Sequence, residues 1–557
     1  MPALPSGSEP GGRGGLPPSL AVGLLLVGVA ATFANTLSNG FVYDDRVSVL
    51  SNTFIRSIRN VPEMFVRDGW HGTGRLSQNY RPVSTVGWAL DYALFGLDPR
   101  GWHATNVAVH LAAVAMAFVV ASRVLGSTWA AVMAAGIFGV HPLQTEAVNV
   151  VTWRWDVVVA FFTLAGLVAY DGYSRSGRRP SLAAAWACFA LALSSKESGM
   201  AMPGVMLAWE WTIRCDGSTG RLAGRLWGGV RAAYLGYAAI AAVYLVARRL
   251  VMGSLLHRSI DFLDNPLAFQ PLLQQKALAL GLLPRWGRLL VWPAAQSADY
   301  SYHVLPLDLG WTSGWVLGGF LIMAAGLVVV AHRRRVPAAA FGVMFAFITY
   351  AMVSSLFFPI QTMMAERWMT VPLFGIALAT ASGWEAAFPE ADRLRRRTGI
   401  ALGLLVLAAC AARTVVRNRD WRDTLTVTEA AFRVVPASAI VNYNLGHLYD
   451  EAGGRLPEAE AAYARAIAIW PAYHEALSDR ALVLSDLGRH AEAVVSARRA
   501  VTVRPDDALS WNNLGVVLYR AGREADAIRA WRRALALSPG FAAARNNLAE
   551  CRRAARD

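Results

Sequence analysis

The chain has 557 residues, 55% of them hydrophobic and only 16% charged. That balance excludes an ordinary soluble enzyme and a disordered scaffold, and it points to a membrane protein. The formal charge is +15, but from Asp420 onward 18 basic residues face 17 acidic ones, so the excess belongs to the apolar first part and no nucleic-acid-binding domain is expected. Two lysines, Lys196 and Lys276, stand against 51 arginines, a bias that with the richness in Ala and Gly suggests a GC-rich bacterial gene. Four cysteines, Cys188, Cys215, Cys410 and Cys551, show neither metal-ligand spacing nor a disulfide framework.

Residues 1–19 are rich in Pro, Gly and Ser and read as a disordered tail. Leu20 to Leu37 follows, at the short end of what crosses about 30 Å of hydrocarbon at roughly 1.5 Å per residue. It reads as a first span rather than a cleaved signal, because a basic leader is nearly absent and ten further apolar runs follow. These lie near 102–124, 129–141, 156–172, 181–195, 199–213, 232–250, 311–331, 337–355, 368–386 and 399–415, giving about 11 spans.

Fourteen arginines crowd four connections: Arg175, Arg178 and Arg179; Arg214, Arg221, Arg225 and Arg231; Arg333 to Arg335; and Arg393, Arg395, Arg396 and Arg397. Placing these in the cytoplasm, as the positive-inside rule directs, leaves two long loops, 38–101 and 253–310, and everything after Arg417 on the extracytoplasmic side. The second loop carries an amphipathic segment from Lys276 to Trp292. The expected division is a transmembrane domain over 20–417 and a separate domain over 418–557.

That last part alternates Ala, Leu and charged residues, with Pro436, Pro471, Pro505 and Pro539 spaced by 35, 34 and 34 residues. A 34-residue period is the signature of tetratricopeptide repeats. Trp511, Leu514, Gly515, Leu518, Ala527, Trp531, Ala534 and Pro539 fall on the consensus positions of the third repeat. Ala481, Leu484, Ala493, Ala497, Ala500 and Pro505 mark a weaker second. Leu445, Gly446, Tyr449, Ala459, Tyr463, Ala466 and Pro471 mark the first, after one inserted residue at Gly453-Gly454. The fold class is therefore all-α: a polytopic helical bundle followed by a short α-solenoid.

Charged groups at span ends are costly and read as functional by default. Asp44 and Asp45 open the first external loop, where a carboxylate at the membrane surface suits general-base chemistry. Arg81, His141, Glu146, Arg154, Asp156, Lys196, Glu197, Asp299, Glu366 and Arg367 all fall on the same expected face. Such convergence is what a single extracytoplasmic site requires. No cluster has metal-ligand spacing, so no metal and no certain cofactor are expected.

At these residues the chain resembles the transmembrane and tetratricopeptide-repeat proteins, O-mannosyltransferase-like members of the GT-C glycosyltransferases. The residues that carry the resemblance are Tyr43-Asp44-Asp45, Tyr80-Arg81-Pro82, His141-Pro142 with Thr145-Glu146-Ala147-Val148, Ser195-Lys196-Glu197, Leu290-Val291-Trp292-Pro293, Ser297-Ala298-Asp299-Tyr300-Ser301 and Ala365-Glu366-Arg367. The resemblance implies a GT-C-type bundle that moves a mannose-like sugar from a polyprenyl-phosphate donor to a protein hydroxyl. Asp44 or Asp45, with a slight preference for Asp45, would be the base, and Lys196, Arg154, Arg81 and Arg367 would hold the donor phosphate. The expected partners are that lipid-linked donor, membrane lipids, and protein or peptide acceptors bound by Asn442, Asn512, Asn513, Asn546 and Asn547 on the repeats. The expected place is a bacterial inner membrane. Two rival readings are a non-catalytic scaffold whose repeats recruit envelope proteins and a transporter, the latter disfavoured because the charges sit at span ends and not at the midplane.

Overall fold

The computed structural model describes residues 17–71, 73, 79–255, 260–304 and 306–554. Most of the expected disordered tail, residues 1–16, lies outside them. Every regular element among the described residues is a helix. Each of the eleven apolar runs is helical, and six are long and apolar enough to cross a membrane: Pro18–Ser38, Pro99–Ser122, Thr152–Ser176, Arg231–Met252, Gly314–Ala331 and Arg393–Asp420. This is a multi-pass membrane protein.

The other runs are shorter for local reasons. Thr128–Val140 begins where the Ser127 hydroxyl caps the Ala130 amide at 3.1 Å, and it stops before the helix-breaking His141-Pro142. Met202–Trp209 continues as a π-helical turn, Glu210–Arg214. The described part of the first long loop contains the helix Pro82–Phe95, after which Asp98 caps the next span by accepting from the Arg100 amide.

The chain divides into two compact units, and the division differs from a single cut near residue 417. One unit holds Met1–Arg258, Gly318–Val353 and Glu366–Arg422, and the other holds Ser259–Leu317, Ser354–Ala365 and Asp423–Asp557. The second long loop therefore belongs with the repeats.

In the first unit the apolar helices meet through small residues. Pro337–Ala351 and Pro372–Ala387 cross where Gly342 faces Gly375, so closely that a Cβ on either glycine would strike the other helix's backbone. Small residues at such crossings let backbones approach where no hydrophobic force distinguishes helix from lipid. Trp209 packs edge-on against Phe341 at 5.1 Å, and Phe345 against Phe374 at 5.3 Å, filling the space around the crossing.

The second unit is built on three helix pairs: Ala439–Glu451 with Leu456–Ile469, His474–Asp486 with His490–Val503, and Ala508–Arg520 with Glu524–Leu537. Thr424–Val434 precedes them and Ala542–Ala554 caps them. Gly446 lies under the Tyr463 ring and Gly515 under the Trp531 ring, which is why those positions carry no side chain. The inserted residue is absorbed by Gly453 and Gly454 at φ 65° and 70°, conformations only glycine adopts freely. From the second loop, Phe262 stacks on Trp470 at 5.1 Å and Tyr302 meets the same ring edge-on at 5.2 Å.

The glycine crossing yields a test. Gly342→Leu should lower the melting temperature of the detergent-solubilised protein by about 5 °C or more, because overpacking typically costs roughly 1–3 kcal/mol and here it pushes on backbone. Gly383→Leu, in the same helix as Gly375 but with nothing within 4 Å of its Cβ position, should leave melting unchanged.

Candidate functional site

The sequence Phe41 to Arg46 forms a turn in which Tyr43 adopts φ 49°. A side-chain-bearing residue at positive φ costs of order 1–3 kcal/mol, so something must hold it there. Asp45 supplies the hold. Its carboxylate is wholly buried and accepts four hydrogen bonds: from the Val42 amide at 3.2 Å, the Val151 amide at 3.3 Å, the Thr152 amide at 2.7 Å and the Thr152 hydroxyl at 2.6 Å. Burial pushes its pKa up to about 6, against the pull of those donors. Asp44 is in different surroundings. It is half-buried and accepts from Trp153 Nε1 at 2.9 Å, while Tyr43 stacks on the Trp153 ring at 5.8 Å and lies 6.2 Å from the Trp421 ring.

The candidate cations are drawn to carboxylates from other parts of the chain. Lys196 Nζ donates to both oxygens of Asp156, at 2.6 and 2.7 Å. Arg81 donates twice to Glu197 Oε2, at 3.0 and 2.7 Å, and lies 4.1 Å over the Trp155 ring. The other oxygen of Glu197 takes Arg248 at 2.7 Å. Arg154 pairs with Asp91 at 2.5 Å. Arg367 pairs with Glu146, to which its own amide also donates at 2.8 Å, and it stacks 4.0 Å over Trp153. Arg367 is thus paired with Glu146 and not with the adjacent Glu366, and Arg154 with Asp91 and not with Asp156.

These groups sense one another. Burial lowers the Lys196 pKa to about 8, Asp156 opposes the shift, and the like charges of Arg81 and Arg367 add to it. Burial raises Glu197, but Arg81 and Arg248 outweigh it and bring the carboxyl to about 2. A small cavity beside the Lys196–Asp156 pair is lined by Asp156, Thr163, Ser198, Thr349, Trp368 and Pro372. Among the described residues no group of three or more His, Cys, Asp or Glu side chains converges as a metal shell.

Several candidates have other roles. His141 caps the turn that follows it, its Nδ1 accepting from the Leu143 amide at 3.2 Å. Glu366 is buried in the turn Glu366–Met369. Asp299 belongs to the second unit, where it accepts from the Ser301 and Ser438 hydroxyls at 2.7 Å each. Asn442 is a correction: it is wholly buried, donates to the Pro436 and Ser438 carbonyls and accepts from Arg465, so it has no amide to offer a peptide. Asn512, Asn513 and Asn547 form a ladder between repeats, Asn547 donating to Asn512 at 3.0 Å and Asn513 donating to Ser478 at 3.0 Å. Asn546 is exposed. Sequence reasoning missed Arg248, Thr152, Trp153 and Trp155, and the role of Asp91 as the partner of Arg154. Arg248 carried a signal, as an arginine inside the apolar run 232–250.

Fold and site define a class: a multi-pass helical membrane protein with a repeat tail and a buried cluster of arginines, lysine and carboxylates beside an acidic loop. The tetratricopeptide-repeat family model matches residues 410–474 and 478–540. The chain is similar in sequence to proteins named protein O-mannosyl-transferases. It is 27% identical over 460 residues to the mouse (Mus musculus) protein O-mannosyl-transferase TMTC3, covering 77% of this chain and 49% of that one. It is 26% identical to the Caenorhabditis elegans protein O-mannosyl-transferase F38B6.6, covering 80% and 62%. The chain thus spans about half to two thirds of these relatives. Among solved structures, ArnT from Cupriavidus metallidurans bound to undecaprenyl phosphate aligns over 88% of this chain and 80% of that one, at 18% identity and a TM-score of 0.35.

The two aspartates separate in a structural test. Asn at position 45 offers one acceptor and places an amino group against the remaining donors, so Asp45→Asn should speed amide exchange across residues 41–48, with a local cost of about 1–3 kcal/mol. Asp44→Asn keeps an acceptor for Trp153 and should leave that exchange unchanged.

Proposed function

We propose that the protein is a membrane glycosyltransferase that moves a mannose-like sugar from a polyprenyl-phosphate donor to a protein hydroxyl. The observation that carries this reading is a cluster of largely buried cations in the same unit as a half-buried carboxylate, Asp44. Five cations, Arg81, Arg154, Lys196, Arg248 and Arg367, share four carboxylates, Asp91, Glu146, Asp156 and Glu197. An anionic phosphate offers these cations a further partner, and in a low-dielectric setting the attraction is far stronger than in water. The names of the relatives support the sugar and the acceptor class.

Asp44 is the better base. It is half-open, needs only one donor from the protein, and sits beside Trp153, whose ring carries Arg367. Asp45 is the anchor that fixes the turn, a reversal of the slight preference drawn from sequence. In the reaction the acceptor oxygen attacks the anomeric carbon, the bond from that carbon to the phosphate oxygen breaks, and Asp44 takes the hydroxyl proton. The lipid phosphate leaves as an anion stabilised by Lys196 and its neighbouring arginines. Stacked tryptophans hold Arg81 and Arg367 in place without neutralising them. The repeats recruit the acceptor, and both they and the site face away from the cytoplasm.

Sugar transfer from a mannosyl-phosphoryl-polyprenol by purified protein, with Ser- and Thr-containing peptides as acceptors, tests the chemistry. Asp44→Asn should lower kcat by roughly 10²- to 10⁴-fold with donor affinity kept. Lys196→Met should raise the donor KM. Wild-type turnover in Asp44→Asn would overturn the assignment, and the scaffold reading would replace it.

The orientation has its own test. A reporter active only outside the cytoplasm, fused after Asp557, should score; activity of a cytoplasmic reporter alone would invert the topology.

A further inference from the structure

The connection from Cys215 to Val230 holds a nine-residue helix, Thr219–Trp227, that leads almost directly into the candidate span Arg231–Met252. At 100° per residue, Leu222, Ala223, Leu226 and Trp227 share one side, and Arg221 and Arg225 share the other. None of the nine residues is buried, and Trp227 is 78% exposed. An isolated apolar stripe on so short a helix has no reason to stay helical in water.

The helix is nonetheless held in place. Arg225 donates to the wholly buried Glu210 at 2.7 Å and to the Ser174 hydroxyl and carbonyl at 2.7 and 2.9 Å. This tether fixes the polar side to the bundle and leaves the apolar side outward, beside a span. The Arg333–Arg335 turn is brought to the same connection, because Arg333 donates to the Gly217 carbonyl at 3.1 Å and lies 4.3 Å over the Trp211 ring. Arg178, Arg179, Arg231, Arg334 and Arg335 are exposed. The carboxylates nearby are unavailable to balance them: Glu210 and Asp171 are buried among their own arginines, and Asp216 is paired with Arg221 at 2.7 Å.

We propose that Thr219–Trp227 lies on the membrane surface, its apolar side among the first carbons of the acyl chains, and that the arginines around it bind anionic phospholipid headgroups. An apolar stripe bordered by cations, tied at the level where a span begins, fits an anionic lipid leaflet better than a protein surface. The inference needs only that the chain spans a membrane. It does not depend on the proposed chemistry.

The test uses the full chain in lipid nanodiscs, carrying a bimane label on Ala223→Cys or on Arg221→Cys and compared with the unsubstituted protein labelled in the same way. Ala223→Cys should be quenched by lipids brominated on the acyl chain and protected from aqueous iodide, and Arg221→Cys should show the opposite. In native mass spectrometry the protein should retain phosphatidylglycerol over phosphatidylcholine, and replacing Arg178, Arg179, Arg334 and Arg335 with Gln should weaken that retention at least fivefold, since each arginine near an anionic surface contributes about 1 kcal/mol. Iodide quenching at both positions would place the helix in water and overturn the proposal. Protection of Ala223→Cys from both quenchers would point to a protein occupant and overturn it equally. Equal retention of both lipids would overturn the headgroup assignment.

Discussion

A carboxylate removed from water must find its donors inside the protein, and at Asp45 that requirement organises the whole acidic loop. Three of the four donors come from Val151 and Thr152, more than a hundred residues along the chain, and those bonds fix where residues 41–45 can lie. Tyr43 can then be held at positive φ, and Asp44 is delivered to Trp153. A second polar set closes the same end of the unit: Asn39 donates to Asn149, Asn149 to Asn418, and Asn418 to Asn35, all within 3 Å. The first and last apolar helices are thereby joined beside the loop. Gly40 extends the join, its amide donating to the Arg422 carbonyl at 2.9 Å.

Around this frame Arg81, Arg154, Lys196, Arg248 and Arg367 are each accompanied by a carboxylate from another element. Burying two charges costs several kcal/mol each before their attraction is counted, and removing one partner leaves the other stranded at a cost of about 3–5 kcal/mol. The pairs therefore act as a demand for correct helix placement as much as a source of stability. The choice of side chain follows the surroundings. Arginines stack on Trp153 and Trp155, where a planar guanidinium fits, whereas the single lysine of the cluster makes a compact contact with both oxygens of Asp156.

The apolar helices and the repeats were legible in the sequence because each is written in local periodicity. Eleven apolar runs became eleven helices, and the 34-residue proline spacing became three helix pairs. Neither signal depends on what the segment touches. The pairings were not legible, since Arg81 and Glu197 lie 116 residues apart and Arg367 and Glu146 lie 221 apart. Proximity in sequence is no guide there: Arg367 pairs with Glu146 and not with the adjacent Glu366, and Arg154 with Asp91 and not with nearby Asp156. The two aspartates illustrate the same limit, because adjacency says nothing about which carboxylate is buried. Asn442 fails for a related reason, since a first-helix position in a repeat is open only if the neighbouring helix leaves it so, and Arg465 does not.

The division into units constrains how the chain assembles. Residues 259–317 are made before the repeats, yet Asp299 closes a loop of 139 residues to reach Ser438, and Phe262 and Tyr302 wait for Trp470. Loop closure over that distance is entropically costly, and the contacts that reward it form only after the intervening chain has been made. That intervening chain is not passive, because Gly318–Val353 and Glu366–Arg422 belong to the first unit. The second unit is therefore completed only when helices of the first lie between its own pieces in sequence. A repeat fragment beginning near Trp421 lacks the aromatic partners of Trp470 and the acceptor for the Ser438 hydroxyl. The first helix pair would lose buried surface, while the third, sealed by Leu548 and Cys551 of the last helix, would keep its core. Stability along the solenoid should thus rise from its first repeat to its last when it is cut away, the gradient expected where neighbours in a stack stabilise one another and one end has lost its cover.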